Sequence, residues 1–212
     1  MTLFLLFAAL VVVPWTIRNA CVLGGFTPVS TNSGINLLLG NSENAGSNTG
    51  VNVDISRYLE ATKALSEKEK DVRLRQYAIS WIRENPRAAI NLYFFKLLNY
   101  FNFRNQLYVK TEGRHTRDII MFLSYYPLLF LAALRLLMYK KRPISSSEAI
   151  LYLIYFGNAF VSAIFFTRIR FRIPFDTLLI AIGAATLGLI VREITNRYIS
   201  KKTNAGDAEA LT

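Results

Sequence analysis

Three long apolar runs in the second half of this 212-residue chain limit what it can fold into. They cover Asp118–Tyr139, Glu148–Thr167 and Phe175–Val191, and each is close to the roughly 20 residues that a membrane-spanning helix needs. Hydrophobic residues make up 52% of the sequence and the mean hydropathy is +0.28, a balance typical of membrane proteins rather than soluble domains. We therefore expect an all-α integral membrane protein.

A shorter apolar run opens the chain. Residues 1–13 are hydrophobic apart from Thr2 and are followed by Pro14 and Trp15, so we interpret them as a truncated transmembrane helix, the first of about four. A signal peptide is the less favoured alternative, because no basic residue precedes the run and no small-x-small cleavage site follows it. Since thirteen residues reach only about 20 Å into roughly 30 Å of hydrocarbon, we also expect that an N-terminal half is missing from this chain.

Basic residues follow the first and the last of the three long runs. They are Lys140, Lys141 and Arg142 after the first, and Arg192, Arg197, Lys201 and Lys202 after the last. Both groups indicate the cytoplasmic side by the positive-inside rule. Three crossings then place residues 14–117 in an extracytoplasmic region, residues 118–192 in three transmembrane helices with an outer Arg-rich link, and residues 193–212 in a cytoplasmic tail.

The extracytoplasmic region begins with a polar loop. Residues 26–52 are rich in Gly, Asn, Ser and Thr, which favour turns. We predict irregular structure there, with backbone amides of the kind that cradle anions. A plain linker is the alternative.

Short helices follow the polar loop. Asp54–Leu65 is predicted to form one, and the capping-box pattern Ser66–Glu69 starts a second that ends near Glu84. Asn85-Pro86 then opens a third helix through Phe101, with Asn as N-cap and Pro at the first helical position. Its many aromatic side chains and single lysine are typical of a helix that lies in the membrane interface or packs on other membrane helices.

A short basic link, Thr167–Pro174, joins the last two long runs. Pro174 disfavours the helical region for the residue before it, and an extended segment would place Arg168, Arg170 and Arg172 on one face. Such a row of guanidinium groups at a membrane surface suits a lipid phosphate, whereas topology alone would leave a short outer loop poor in arginine. The alternative is that these arginines only anchor a helix end among the headgroups.

Two residue counts argue against other kinds of chemistry. The single cysteine, Cys21, excludes an internal disulfide framework, and the single histidine, His115, excludes a multi-histidine metal site. We therefore expect no metal and no cofactor. The formal net charge of +11 is not arranged as a basic stripe on a soluble fold, and the aromatic residues lie beside the apolar runs, so we do not expect nucleic-acid binding.

Four motifs follow one another along the chain: Pro14–Asn19; Phe26–Gly34 with Gly40-Asn41; Trp81–Pro86; and Arg168–Pro174. In this order they resemble the C-terminal half of bacterial membrane glycosyltransferases. The family is similar to the dolichyl-phosphate-mannose protein mannosyltransferases and has the C-type glycosyltransferase fold. The resemblance covers the chain up to about Arg192.

The resemblance implies a carrier-binding role in an enzyme that moves a sugar from a polyprenyl-phosphate donor to an acceptor at the outer face of the bacterial inner membrane. The expected partners are the polyprenyl-phosphate-linked sugar and membrane lipid. Because a leaving phosphate needs positive charge nearby, the candidate phosphate ligands are Arg168, Arg170, Arg172 and Arg18. The candidates for lining the sugar or phosphate site are Thr31, Asn32, Gly34 and Asn41.

Members of this family carry an acidic catalytic residue in the first outer loop of a much longer protein, a region that we do not find here, so no catalytic residue is assigned. Most outer carboxylates of this chain fall on predicted helices with basic neighbours, as in solvated faces. These carboxylates are Glu43, Asp54, Glu60, Glu67, Glu69, Asp71, Glu84 and Glu112. The alternative function is a non-enzymatic membrane protein that binds polyprenyl phosphate or an anionic lipid.

Overall fold

Helices account for all the regular secondary structure in residues 2–104 and 114–209, the part of the chain that the computed structural model describes. They are α1 Thr2–Leu23, α2 Ser33–Gly40, α3 Ser56–Ala61, α4 Glu67–Glu84, α5 Pro86–Tyr100, α6 Arg114–Leu137, α7 Ser146–Ile164 and α8 Ile169–Glu209, with a 3₁₀ turn at Met138–Lys140. Three segments are long and apolar enough to cross a membrane, namely His115–Lys140, Ser146–Ile164 and Ile169–Ile199. The all-helical class is confirmed, and these segments contain most of the three predicted runs.

The first helix is longer than predicted. α1 continues through Pro14 to Leu23, so the prediction that it ends at residue 13 is wrong. A proline inside a helix removes one backbone hydrogen bond, but side chains beyond it bind the returning chain: Trp15 Nε1 donates to Val29 O at 2.9 Å, and Asn19 Nδ2 donates to the same oxygen at 3.0 Å. The first two motifs of the sequence therefore meet along one face of α1.

The chain divides into two units, of which the first comprises Met1–Phe101 and Val161–Arg168 and the second comprises Asn102–Phe160 and Ile169–Thr212. In the first unit, α2 packs against α4. The buried core of this unit consists of Leu38, Leu39, Ile55, Tyr58, Leu74, Ala78 and Phe166. Helix α2 lies inside the segment that was predicted to be irregular, and that prediction is wrong for Ser33–Gly40 because the apolar residues of this stretch are buried against α4.

A carboxylate from α4 binds the N-terminus of α2. Asp71 Oδ1 accepts the backbone N–H of Gly34 at 2.5 Å, and Asp71 Oδ2 accepts from Ser33 Oγ at 3.1 Å. The residue at the N-cap position, Asn32, makes no side-chain capping bond. Gly34 also permits the close approach of the two helices, because a Cβ atom there would lie 1.9 Å from the backbone oxygen of Asp71.

Replacing Gly34 by alanine is expected to lower the free energy of unfolding by about 3 kcal/mol, because the new methyl group would force backbone apart from backbone. Thermal unfolding in detergent, followed by circular dichroism, measures the change. Gly188→Ala is the control: a Cβ there meets nothing within 4 Å, so helix propensity should make it neutral or slightly stabilising. Equal transition temperatures for the two variants would contradict the assigned α2–α4 contact.

The capping box predicted at the start of α4 is confirmed. Ser66 Oγ accepts from the backbone N–H of Glu69 at 3.4 Å, and Glu69 Oε2 accepts from the backbone N–H of Ser66 at 3.1 Å. Helix α5 begins at Pro86, as predicted. Asn85 occupies the predicted N-cap position of α5, but its side chain makes no capping bond there. Its Nδ2 donates instead to Trp81 O at 3.1 Å, at the end of α4.

In the second unit, polar side chains join the helices. The hydroxyl groups of Tyr125 and Tyr155 lie 2.9 Å apart. Arg135 binds both oxygens of Glu148, at 2.7 and 2.8 Å, and donates to Arg142 O at 2.8 Å. Helix α8 is 41 residues long, so the last predicted span and the predicted tail at 193–212 belong to one continuous helix as far as Glu209.

Candidate functional site

The predicted row of three arginines is wrong as a geometry. Helix α8 begins at Ile169, so Arg170 and Arg172 are helical rather than extended. At about 100° per residue, two positions that are two residues apart point in nearly opposite directions. Pro174 does not prevent this helix, because it removes only one backbone bond, close to the N-terminus.

Arg172 is a buried structural residue of the second unit. Its side chain is 1% exposed. Its guanidinium donates to Asp176 Oδ2 at 3.2 Å and to Asn102 O at 2.8 Å, and it lies 3.5 Å from the centre of the Tyr125 ring. This set of contacts explains the helical conformation, because the ion pair with Asp176 has the one-turn spacing of a helix.

The other candidate arginines lie in different settings. Arg170 is exposed and its guanidinium stacks on Phe171 at 4.8 Å. Arg168 is half-buried and donates to Thr49 O at 2.8 Å. Its guanidinium packs against Gly50, where a Cβ atom would lie 1.9 Å from Arg168 Nε. Arg18 is exposed on α1, 4.9 Å from the centre of the Trp15 ring. Phosphate binding by these residues stays a prediction.

The predicted anion-binding loop already holds an anion. The backbone amide of Gly34 and the hydroxyl of Ser33 bind the carboxylate of Asp71, which also pairs with Arg75 at 2.7 Å. Thr31 donates to Glu67. Of the four loop residues proposed for the sugar or phosphate, Asn32 is exposed and Asn41 is buried; ligand binding by all four stays a prediction.

Lys96, on α5, is a buried charged residue that was not predicted from the sequence to belong to a site. It is fully buried, and Nζ donates to Gly40 O and Phe165 O at 3.0 Å each and to Asn41 Oδ1 at 3.3 Å. Ile164 O lies 3.5 Å away. Helix α2 ends at Gly40 and α7 ends at Ile164, so the ammonium group meets the carbonyl ends of two helices, where the helix dipoles favour a cation. The only signal in the sequence was a single lysine within an aromatic helix.

Burial lowers the pKa of Lys96 to about 8. At neutral pH the side chain is therefore still mainly a cation. No carboxylate of the described residues pairs with it, so its positive charge is balanced only by carbonyl dipoles. The Asn41 side chain joins Lys96 to the ends of α2 and α7. Its Nδ2 donates to Leu37 O and Ile164 O at 2.9 Å each, and its Oδ1 accepts from Lys96.

An apolar groove of about 410 Å³ lies next to Asn41. We call it the α5 groove, and it is lined by Asn41, Ile82, Pro86, Ala89, Ile90, Tyr93, Phe94 and Ile164. Two of its residues, Ile90 and Phe94, are each 57% exposed, so the groove opens along a helix face that also exposes Phe95 and Leu98. Apart from the tyrosine hydroxyl and the Asn41 amide, the lining side chains are hydrocarbon, which suits an apolar ligand.

A second cavity, of about 610 Å³, has a different lining. We call it the aromatic basin, and it is lined by Glu43, Arg57, Tyr58, Ala61, Tyr77, Ser80, Trp81, Glu84 and Asn85. Glu43 accepts from the Tyr58 hydroxyl at 2.7 Å and pairs with Arg57 at 2.8 Å. Burial alone would raise the pKa of Glu43, but the hydrogen bond from Tyr58, a backbone hydrogen bond and the charge of Arg57 together lower it, so the side chain is a carboxylate at neutral pH.

The other outer carboxylates have structural or solvent-exposed positions. Asp54 accepts the backbone N–H of Ser56, the first residue of α3, at 3.0 Å. Glu60 forms an exposed pair with Lys63. Glu112 lies outside the described residues.

Searches against protein-family models, curated proteins and solved structures find no match to this chain.

Proposed function

We propose that this chain binds a polyprenyl-phosphate carrier, with the hydrocarbon chain in the α5 groove, as the carrier-binding C-terminal part of a glycosyltransferase at the outer membrane face. The observation that carries the proposal is the α5 groove itself, an apolar channel on a helix with an exposed hydrophobic face. The motif order of the sequence supplies the link to glycosyl transfer. The proposal includes α1 as a fourth transmembrane helix, because 22 helical residues reach about 33 Å.

Hydrocarbon burial would supply most of the binding free energy. A bound chain removes the groove walls and its own methyl groups from water, which contributes about 25 cal/mol for each Å² of apolar surface. The exposed apolar face of α5 would rest among lipid headgroups and acyl chains, as in interfacial helices. A lipid chain could then enter the groove from the bilayer without crossing water.

Cations near the groove would hold the phosphate. Arg83 and Arg87 are exposed neighbours of the groove residues Ile82 and Pro86. These two arginines are our candidate ligands beside the groove, and Arg170, the exposed member of the predicted link, stays a separate candidate. Arginine binds phosphate oxygens with two parallel hydrogen bonds, which lysine cannot reproduce.

Ile90→Asn tests the groove, because it places an amide in the hydrocarbon channel at a position exposed enough to tolerate it. We expect at least a tenfold loss of affinity for a fluorescent polyprenyl phosphate in nanodiscs, since burying an isoleucine contributes about 1.5–3 kcal/mol. Leu98→Asn is the matched control: it removes an exposed apolar residue of the same helix, 68% exposed, that does not line the groove. Equal affinities of the two variants would overturn the proposal.

Carrier binding without transfer is the second candidate function. It is favoured by the carboxylates of the described residues, because Glu43 is paired with Arg57, Asp71 holds the start of α2, and the α5 groove has no acidic side chain. Because no catalytic residue is assigned to this chain, the two are separated in membranes that contain the chain together with candidate catalytic partners, given a radiolabelled lipid-linked sugar and an acceptor. Label that stays on the carrier with every partner, while the carrier remains bound to the chain, identifies the non-enzymatic protein.

A further inference from the structure

The aromatic basin has the composition of a site for a polar, uncharged ligand with an apolar face. The rings of Tyr58 and Tyr77 lie 5.0 Å apart at an angle of 49°, and Trp81 lines the same cavity. Tyr77 and Trp81 are half-buried. Because the Arg73 guanidinium lies over the Tyr77 ring at 5.1 Å, Trp81 is the ring that we assign to a ligand. Aromatic faces of this kind pack against C–H groups and contribute more than their area alone.

The polar groups of the basin include both hydrogen-bond acceptors and donors. Glu43 and Glu84 are carboxylates, and Asn85 uses its amide nitrogen for Trp81 O, which leaves a carbonyl oxygen as its acceptor. The lining also holds an arginine, an indole N–H and three hydroxyl groups, so a matching ligand carries groups that can both donate and accept. Hydroxyl groups satisfy carboxylate and carbonyl acceptors without requiring a charge on the ligand.

The charged side chains of the aromatic basin disfavour the binding of both anions and cations. Arg57 pairs with Glu43 at 2.8 Å and covers the Tyr58 ring at 4.6 Å. Its guanidinium is therefore already matched to a carboxylate, and Glu84 leaves the lining with a small negative excess that repels phosphates. A cation would find the Tyr58 face already covered.

We propose that the aromatic basin binds a neutral carbohydrate, with one sugar ring packed against Trp81 and its hydroxyl groups donating to Glu43 and Glu84. A sugar ring has one face of C–H groups, which can pack against an aromatic ring, and a rim of hydroxyl groups, which can bind the polar side chains of the lining. The cavity of about 610 Å³ falls in the usual size range of small-ligand sites. This site is separate from the α5 groove and does not depend on lipid binding.

Tryptophan fluorescence provides a direct test on the full chain. The sequence has two tryptophans, so Trp15→Phe leaves Trp81 in the basin as the only indole reporter. In detergent without lipid, we expect a saturable change of Trp81 emission on addition of millimolar methyl hexosides or neutral disaccharides. Inorganic phosphate and tetramethylammonium, the anionic and cationic probes, should produce no saturable change.

Two further substitutions in the Trp15→Phe background locate the response. Ser80→Phe fills the basin from an exposed position and should abolish it, whereas Val72→Phe, also exposed on the same helix but outside the basin lining, should preserve it. Glu84→Gln keeps the shape of the side chain and should weaken binding about tenfold, the usual effect of replacing a charged acceptor by a neutral one.

Three results would overturn the proposal: no saturable response to any neutral sugar from a chain that unfolds at the normal temperature, a stronger response to phosphate or tetramethylammonium, or equal responses from Ser80→Phe and Val72→Phe. Because no lipid is present, failure here leaves carrier binding in the α5 groove standing. Loss of carrier binding in Ile90→Asn likewise leaves the sugar response unaffected.

Discussion

Replacing Lys96 by methionine is expected to destabilise the first unit by about 2–4 kcal/mol. The substitution keeps the apolar stem but leaves Gly40 O, Phe165 O and Asn41 Oδ1 without their donor, and each unsatisfied buried acceptor costs about 1–3 kcal/mol. Because methionine is uncharged, the variant avoids the free-energy cost of burying an ammonium group, and this offsets part of the loss. Chemical unfolding in detergent, followed by far-UV circular dichroism, measures the difference. Lys63→Met is the control, because that side chain is 77% exposed, and it should change stability by less than about 0.5 kcal/mol.

Titration distinguishes a buried ammonium from an ordinary one. Burial lowers the pKa of Lys96 to about 8 from the ordinary lysine value of 10.5, so between these pH values the unfolded chain carries a proton that the folded chain does not. The stability of the wild type relative to Lys96→Met should therefore rise, by roughly 3 kcal/mol, as the pH goes from 8 to 10.5, and stay constant below 8. A stability difference between the wild type and Lys96→Met that does not change with pH would show that the two helix ends stabilise the ammonium group as well as water does.

Replacing Arg172 by methionine is expected to cost about 3–5 kcal/mol in the second unit, because it leaves the Asp176 carboxylate beside a buried site without its cation. Asn102 O would lose its donor as well. Arg170→Met, two residues away and exposed, should change stability by less than about 0.5 kcal/mol. The midpoint of thermal unfolding of the full chain in detergent measures both variants.

A double substitution separates the charge from the packing at Arg172. Arg172→Met combined with Asp176→Leu removes both partners and should restore most of the lost stability, since an apolar pair can replace a buried ion pair. A double variant as unstable as Arg172→Met alone would mean that the contact with Tyr125, rather than the ion pair, holds this part of α8. Lipid-phosphate binding is best tested at Arg170, because a loss at Arg172 would report unfolding.

Patterns of short range were enough to predict much of the helical architecture. The three apolar runs need only length and composition, and the capping box at Ser66 involves residues three apart. One exception at short range is the link before α8. There Pro174 suggested an extended segment, but the buried contacts of Arg172 outweigh a local backbone preference.

The candidate sites could not be predicted in the same way because their partners are distant in sequence and are often backbone groups. Lys96 binds carbonyl oxygens that are 56 and 69 residues away, and any residue type can supply a carbonyl. The start of α2 depends on Asp71, which lies 37 residues beyond Gly34. Neither the α5 groove nor the aromatic basin has a sequence pattern, because each collects single residues from several elements.

The length of α8 has a mechanical consequence. Its 41 residues extend for about 62 Å, whereas a bilayer offers roughly 30 Å of hydrocarbon. If α8 crosses a bilayer, then even at a tilt of about 40° more than about 20 Å of helix would stand beyond the hydrocarbon as a rigid rod. A helical rod sets a fixed height above the bilayer, whereas a flexible tether would allow a broad range, so distances between spin labels at Val191 and Ser200 should be narrowly distributed.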